Sequence, residues 1–202
     1  MDKIVLCLFD YTGKMAKPWA EEGYRCVCVD IDQDAPNKVE KIEHENIDYV
    51  ESDIHKYLPP RAEYKAVFAF PPCDNVAVSG ARWFKDKGLN GLASAVKNFE
   101  RARQIVEWAE PDVWMIENPV STLSTYWREP DQFMHPYEYD GYTDEDNGYT
   151  KKTSLWHNEE FSLPAPKMAD KKDSRILDEG GNPRVRSQTP QGFANAVFKE
   201  NH

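Results

Sequence analysis

The chain has 202 residues, enough for one folded domain with a substantial core. Its 40% hydrophobic content and 12% aromatic content exclude a disordered chain, and no apolar run approaches the length needed to span a membrane. The net charge of −10 argues against broad non-specific binding to nucleic acid, so any such contact needs a local basic patch. A soluble, cytoplasmic protein is expected.

Apolar runs alternate with helical patterns in the first half of the chain, which predicts a parallel sheet joined by crossover helices. The opening run, residues 4–9, is too short for a signal-peptide core and ends in Asp10, so it is predicted to be a strand. Pro18 suits the first turn of the helix that follows, and Gly23 is a natural stop. The predicted elements are a strand at 4–9, a helix at 14–22, a strand at 24–29, a short helix at 38–45 and a strand at 47–50.

Two further apolar runs, 65–70 and 113–116, have the continuous hydrophobicity of fully buried strands. Between them, the apolar positions at 92–109 repeat with the period of a helix, which Pro111 ends. After Pro119 the chain becomes aromatic and rich in turns, with a late strand predicted at 149–156. The predicted fold class is therefore α/β.

Chemically reactive residues follow both of these buried strands. Phe70-Pro71-Pro72-Cys73 ends one run, and Glu117-Asn118-Pro119 ends the next. Because the carboxyl ends of parallel strands meet at one edge of a sheet, the thiol and the carboxylate are expected on neighbouring loops. A thiol beside an acid suits covalent attack on an electron-poor ring, with the acid holding or protonating a ring nitrogen.

The other cysteines have the pattern of core residues. Cys26 and Cys28 alternate along one predicted strand, and Cys7 lies within another. The cysteine spacing matches neither a metal site nor a disulfide framework. The acids near residue 140 lack the glycine and glutamate of a calcium loop, so no metal is predicted.

The order Pro-Pro-Cys, then Glu-Asn-Pro, resembles the cytosine-C5 DNA methyltransferase family, in a minimal phage- or prokaryote-like form. Other segments match the family's motifs in the same order. These are residues 6–13 with the first motif, Asp30 with the acid on the cofactor ribose, Asp53 with the acid near adenine, Ser79-Gly80 and Arg82 with the extended Pro-Cys motif, and residues 189–194 with the last motif.

The resemblance implies a Rossmann-like S-adenosylmethionine-dependent methyltransferase fold, with a mostly parallel twisted sheet flanked by helices. It implies a single methyltransferase domain over residues 1–202. Within this domain, residues 1–120 would form the cofactor and catalytic core, 121–186 an irregular substrate-side region, and 187–202 a returning C-terminal helix.

The resemblance also assigns roles to individual side chains. Cys73 would add to the cytosine ring, and Glu117 would hold or protonate a ring nitrogen; Pro72, Asn118 and Arg82 complete the expected catalytic set. The expected contacts to S-adenosylmethionine are Phe9, Tyr11, Thr12, Gly13, Asp30, Ile31, Asp53, Ile54 and Pro71. Ser79, Lys151 and Lys152 are expected to contact the substrate.

The sequence departs from the family in three places. The glycine-rich first motif is reduced to Gly13, and the basic motif near Lys151 lacks its usual arginines. Only about 30 residues separate Thr153 from Arg186, where the family inserts its target-recognition domain. DNA, double- or single-stranded, is the expected substrate, and a homodimer or a specificity partner would supply further recognition. The alternatives are the same chemistry on a nucleotide or RNA, and a non-catalytic binding module of the same fold.

Overall fold

The computed structural model describes residues 3–31, 39–168 and 187–202. Over these residues, seven strands form one sheet in the order β3-β2-β1-β4-β5-β7-β6. Strands β1 to β5 run parallel, whereas β7 is antiparallel to both of its neighbours, β5 and β6. The strands are β1 Ile4–Leu8, β2 Arg25–Asp30, β3 Ile47–Glu51, β4 Tyr64–Ala69, β5 Val113–Pro119, β6 Gln132–Met134 and β7 Thr153–His157.

Helices cover both faces of this sheet. The helices are α1 Lys17–Glu21, α2 Phe84–Ala109, α3 Leu123–Tyr126 and α4 Gln191–Asn201, with 3₁₀ helices at Val78–Trp83 and Pro136–Tyr142. On one face, Trp19 of α1 and Phe198 of α4 meet edge to face, with ring centroids 5.2 Å apart. On the other face, α2 buries Phe99, Ala102 and Ile105. The predicted α/β class and Rossmann-like sheet are confirmed.

The long helix begins earlier than its apolar pattern predicts. α2 starts at Phe84 instead of residue 92, and Gly88 interrupts it with φ +61°. The added segment is solvent-exposed, so it carries no apolar periodicity from which a helix could be predicted. No helix in the described part of the chain is both long enough and apolar enough to span a bilayer.

The short helix predicted at 38–45 is wrong over residues 39–45, which form no helix; Lys38 lies outside the described residues. The backbone there bonds to other segments. The Ile42 N–H donates to the Thr12 carbonyl at 2.9 Å, and the Ile42 carbonyl accepts from the Tyr49 hydroxyl at 2.8 Å. These tertiary bonds replace the helical ones. The late strand forms from Thr153, and the short helix α3 and strand β6 lie in a region predicted to be otherwise irregular.

Candidate active site

The loop after β4 presents Cys73 at the carboxyl edge of the sheet. Pro71 is buried and Pro72 is exposed, and proline at both positions restricts the backbone leading to the thiol. The Cys73 carbonyl accepts from the N–H groups of Val76 (3.0 Å) and Ala77 (2.9 Å), which closes a tight turn. Cys73 is partly accessible, unlike the other three cysteines, which are fully buried.

Asn118 ties the β5 loop to this cysteine loop. Its side chain is completely buried, and its Nδ2 donates to the Pro71 carbonyl at 2.9 Å. An isolated bridge between Ala77 and Ser121 joins the same two loops further on. Asn118 therefore joins the loop that carries Glu117 to the loop that carries Cys73. We expect its role at the site to be fixing the position of the glutamate. The Asn118 Oδ1 atom is buried with no hydrogen-bond partner among the described residues.

The antiparallel strand β7 brings a cation to Glu117. Thr153 pairs with Pro119 at the end of β5, so the residues just before Thr153 return alongside the Glu117 loop. Lys151 Nζ lies 3.8 Å from Glu117 Oε1, and both side chains are largely sheltered, at 20% and 15% exposure. Lys152 instead places its ammonium 4.1 Å from the centre of the Phe133 ring. Lys151 is therefore the lysine that faces the predicted catalytic acid.

Cys73, Glu117 and Lys151 form one electrostatic unit. The pKa of the Cys73 thiol is raised to about 11. Burial is the largest cause of this shift; the positive charge of Lys151 opposes it, and the negative charges of Glu117 and Asp74 add to it. Cys73 is consequently a protonated thiol at neutral pH in this structure. Its conversion to a thiolate depends on the charge state of Glu117 and on the nearby ammonium.

A narrow cleft opens beside Glu117 between β5, β7 and the chain entering α4. Its lining includes Phe70 and Lys151, together with residues 187–190 and Phe193. The C-terminal segment matched to the family's last motif thus returns to the acid. Tyr149, which sequence reasoning missed, is also close: burial, followed by the Glu117 charge, raises the pKa of its phenol. It precedes Lys151 by two positions, a spacing that strand alternation could have indicated.

The loop after β1 satisfies its polar groups internally. The buried Asp10 Oδ1 accepts from the N–H of Gly13 (2.8 Å), the N–H of Thr12 (3.1 Å) and the Thr12 hydroxyl (3.1 Å). Burial raises the Asp10 pKa, although these bonds oppose the shift. Asp10 Oδ2 is buried with no hydrogen bond in the described structure, and a carboxylate oxygen of Asp10 lies within 4.8 Å of the Cys7 and Cys28 sulfurs. Sequence reasoning missed Asp10 as the organiser of this loop.

Gly13 is needed in this loop for two reasons. Its φ of +72° lies in the left-handed region, and the position of a side-chain Cβ is already taken by the Tyr49 hydroxyl. That hydroxyl also lies 3.1 Å from the Thr12 carbonyl. The loop after β1 therefore has a glycine at a position where the backbone conformation and the Tyr49 hydroxyl both require one.

The residues predicted to bind the cofactor divide into two groups. Those of the first group lie at the carboxyl ends of neighbouring strands: Phe9 and Pro71 come after β1 and β4, Asp30 is the last residue of β2, and Ile31 follows it. The strand ends adjoin, since the Phe9 N–H donates to the Val29 carbonyl and the Phe70 N–H to the Leu8 carbonyl. Ile31 is 67% exposed, so it offers an apolar surface directly after Asp30 in the chain. This combination fits an adenosine, whose ribose hydroxyls need acceptors and whose base needs an apolar contact.

The second group makes contacts within the protein. Ile54 packs in the core at 6% exposure, Thr12 is buried, and Tyr11 lies beneath the Lys41 ammonium at 5.0 Å. Asp53 Oδ1 accepts from the His55 N–H at 3.0 Å. These side chains therefore make contacts within the protein at the same edge of the sheet.

The 3₁₀ helix Val78–Trp83 carries two other predicted site residues. The Arg82 guanidinium lies 5.2 Å from the centre of the Trp83 ring and is solvent-exposed, so it stands on the rim of the site. The backbone of Ser79 belongs to the same 3₁₀ helix.

Comparison with known proteins gives similarity at the level of structure. No protein-family model matches the chain, and no curated protein matches its sequence. A solved E. coli structure, provisionally described as a DNA modification methyltransferase encoded within a prophage, aligns with a TM-score of 0.53 and 13% identity. The alignment covers 84% of this chain and 52% of that one, so this chain spans about half the length of the prophage protein.

A second solved structure, provisionally described as a methyltransferase from Thermoplasma acidophilum, aligns with a TM-score of 0.39 and 14% identity over 86% of this chain and 71% of that one. At 13% identity, the likeness to the prophage protein shows a shared Rossmann-like fold.

Proposed function

We propose that this protein transfers a methyl group from S-adenosylmethionine to C5 of cytosine in DNA through a covalent Cys73 adduct. The observation that carries the proposal is the meeting of a thiol, a carboxylate and an ammonium at the carboxyl edge of the sheet. The likeness to a prophage protein described as a DNA modification methyltransferase supports DNA as the substrate class.

Cytosine C5 is a weak nucleophile, so the ring must first be activated. Glu117 takes up the Cys73 thiol proton and passes a proton to N3 as the sulfur adds to C6, and the electron pair of the former C5–C6 double bond makes C5 an enamine carbon. S-adenosylmethionine supplies an electrophilic methyl group when bound. C5 takes this methyl group, and the demethylated cofactor sulfur leaves as a neutral thioether. The C5 proton then passes to water as the Cys73 sulfur departs, and N3 returns its proton to Glu117, which restores the neutral aromatic ring. General acid catalysis of this kind contributes about 10²–10⁴-fold.

The charges around Cys73 couple these steps. A protonated Glu117 removes one of the negative charges that raise the Cys73 pKa, and the Lys151 ammonium favours the thiolate. Proton uptake by Glu117 and proton loss by Cys73 therefore favour each other. Lys151 lies close enough to Glu117 to contact the cytosine carbonyl next to N3, the role expected of the family's basic motif.

The cofactor would be held by residues at the ends of β1, β2 and β4. Asp30 would accept hydrogen bonds from the ribose hydroxyls, and Ile31 and Phe9 would contact the adenine. Pro71 would border the methyl donor, since Asn118 anchors its carbonyl beside the catalytic loop. Asp10 and Gly13 would shape the backbone beneath the cofactor tail.

A non-catalytic cofactor-binding module is the competing function. The observation that favours it is the pKa of about 11 at Cys73, which leaves little thiolate at neutral pH. The two functions differ in whether a bond forms between protein and substrate.

A trapping experiment separates them. DNA containing 5-fluorocytosine should form a covalent complex with the protein, because fluorine blocks the final elimination at C5. We expect a mass-shifted species in the presence of S-adenosylmethionine, and none with Cys73→Ser. Duplex DNA, single-stranded DNA, tRNA and dCMP should be compared as carriers of the modified base. Bound substrate without any adduct would leave the binding module as the function.

A further inference from the structure

Large apolar side chains are exposed around the two catalytic loops. They come from the segment after β4 and from the loop after β5, and all are more than a third exposed. We call this set the apolar rim. It consists of Val78 (54%), Trp83 (52%), Leu89 (82%), Val120 (36%) and Tyr126 (70%).

Backbone contacts bring the two parts of the rim together beside Cys73. The Val78 N–H donates to the Val120 carbonyl at 3.0 Å, so the first residues of each part adjoin. On the β4 side, the Lys87 ammonium donates to the Asp74 carbonyl, next to the cysteine. The rim therefore flanks the nucleophile, although burying its side chains in the core would be the more favourable arrangement for folding alone.

The charge of this region differs from that of the rest of the chain. Between Val78 and Leu89 there are three basic residues, Arg82, Lys85 and Lys87, and one acid, Asp86, while the whole chain carries −10. All three basic side chains are exposed. Arg82 also stacks over the exposed Trp83 ring, which joins a flat aromatic surface to a cation.

We infer that the apolar rim binds a single-stranded nucleic acid. Bases next to the target cytosine would stack on the side chains of the rim. This inference rests on the proposed function and names the form of its substrate. Unpaired bases expose their faces to aromatic side chains, whereas in a duplex those faces are stacked on one another. Three cations give only a few phosphate contacts, which favours stacking over a purely electrostatic grip on duplex DNA.

Affinity measurements on the whole chain test this inference. Fluorescence anisotropy would compare a labelled 12-nucleotide single strand containing one cytosine with the matching duplex, at low salt. We expect the single strand to bind at least tenfold more tightly than the duplex, with dCMP competing weakly. Trp83→Ala should weaken single-strand binding about fivefold or more.

Trp108→Ala is the matched control. Trp108 is 51% exposed, like Trp83, but it lies near the carboxyl end of α2, whereas Trp83 directly precedes this helix. The regular part of α2 after Gly88 by itself places Trp108 roughly 30 Å from Gly88. The Trp108→Ala variant should leave affinity unchanged. Equal or tighter duplex binding, equal effects of the two tryptophan variants, or competition by dCMP at concentrations similar to the oligonucleotide would each overturn the inference. Binding is also measured with Cys73→Ser. Single-strand affinity can therefore be interpreted even if the proposed methyl transfer proves wrong.

Discussion

The loop after β1 differs from the loops after β4 and β5, although all three lie at the same edge of the sheet. In the β1 loop, Asp10 accepts hydrogen bonds from Thr12 and Gly13, and the Tyr49 hydroxyl donates to the Thr12 carbonyl from outside the loop. In the loops after β4 and β5, the charges of Glu117 and Lys151 act on the pKa of Cys73, the Glu117 and Lys151 side chains lie 3.8 Å apart, and the surrounding apolar side chains are exposed.

This difference indicates that the β1 loop has a structural role, whereas the loops after β4 and β5 carry the reactive groups. A loop whose polar groups are satisfied internally keeps its shape whether or not a ligand is present. Groups that are sheltered from water but only loosely paired keep their capacity to bind and to exchange protons. Mutations in the β1 loop are therefore expected to change stability and cofactor affinity, and mutations in the loops after β4 and β5 are expected to change reactivity.

The largest expected effect is on catalysis at the β5 loop. Glu117→Gln should reduce the rate of methyl transfer by about 10²–10⁴-fold, because the amide cannot donate the proton that N3 requires. The same change should lower the Cys73 pKa, since it removes a negative charge that raises it. Single-turnover rates and the pH dependence of Cys73 alkylation would measure both. Glu107→Gln, on the exposed surface of α2, is the control, and equal loss of activity in the two variants would contradict the assignment.

Substituting the glycine of the closed β1 loop should lower the stability of the protein. Gly13→Ala combines a left-handed backbone with a collision against the Tyr49 hydroxyl, and should lower the free energy of unfolding by about 2–4 kcal/mol. Gly23→Ala also lies at positive φ, but nothing lies within 4 Å of its added Cβ, so about 1 kcal/mol is expected. Urea denaturation compares the two. Equal losses would mean that Tyr49 yields freely and that the loop is not closed as described.

The parts of the fold that could be predicted from sequence are those with strong periodicity. The buried strands and the apolar half of α2 depend on hydrophobic burial, which leaves a repeating pattern. The order of Pro-Pro-Cys and Glu-Asn-Pro also predicted that a thiol and an acid would adjoin, because parallel strands bring their carboxyl ends together.

The remaining features depend on tertiary contacts that leave no local pattern. Residues 39–45 form no helix because Ile42 bonds to Thr12, which is distant in sequence, and to the side chain of Tyr49 in the next strand. The choice of Lys151 over Lys152 depends on the register between β7 and β5. Asp10 organises its loop by accepting hydrogen bonds from residues two and three positions later. This local turn depends on an aspartate and not on the glycines of the motif, so the glycine pattern did not predict it.

Cofactor affinity tests whether the edge beside the closed loop is the binding surface. Asp30→Ala should weaken S-adenosylmethionine binding by roughly tenfold or more, because two ribose hydroxyls lose a charged acceptor. Asp48→Ala is a suitable control, since Asp48 pairs with Arg25 on the exposed part of β2 and β3. Isothermal titration calorimetry measures both affinities. Unchanged binding in Asp30→Ala would remove this residue from the site.

The smallest expected effect concerns Lys151, with the adjacent Lys152 as its control. The Lys151 ammonium lowers the Cys73 pKa, so Lys151→Met should raise it and move the alkylation profile to higher pH. Because alkylation requires the thiolate, the rate at a fixed pH below the pKa should fall by roughly two- to tenfold. Lys152→Met should leave the profile unchanged, since that ammonium lies over Phe133. Iodoacetamide labelling followed by mass spectrometry reads Cys73 selectively, because Cys7, Cys26 and Cys28 are fully buried in the native protein. A shift of equal size in both variants would show that overall charge, and not the position of Lys151 beside Glu117, controls the thiol.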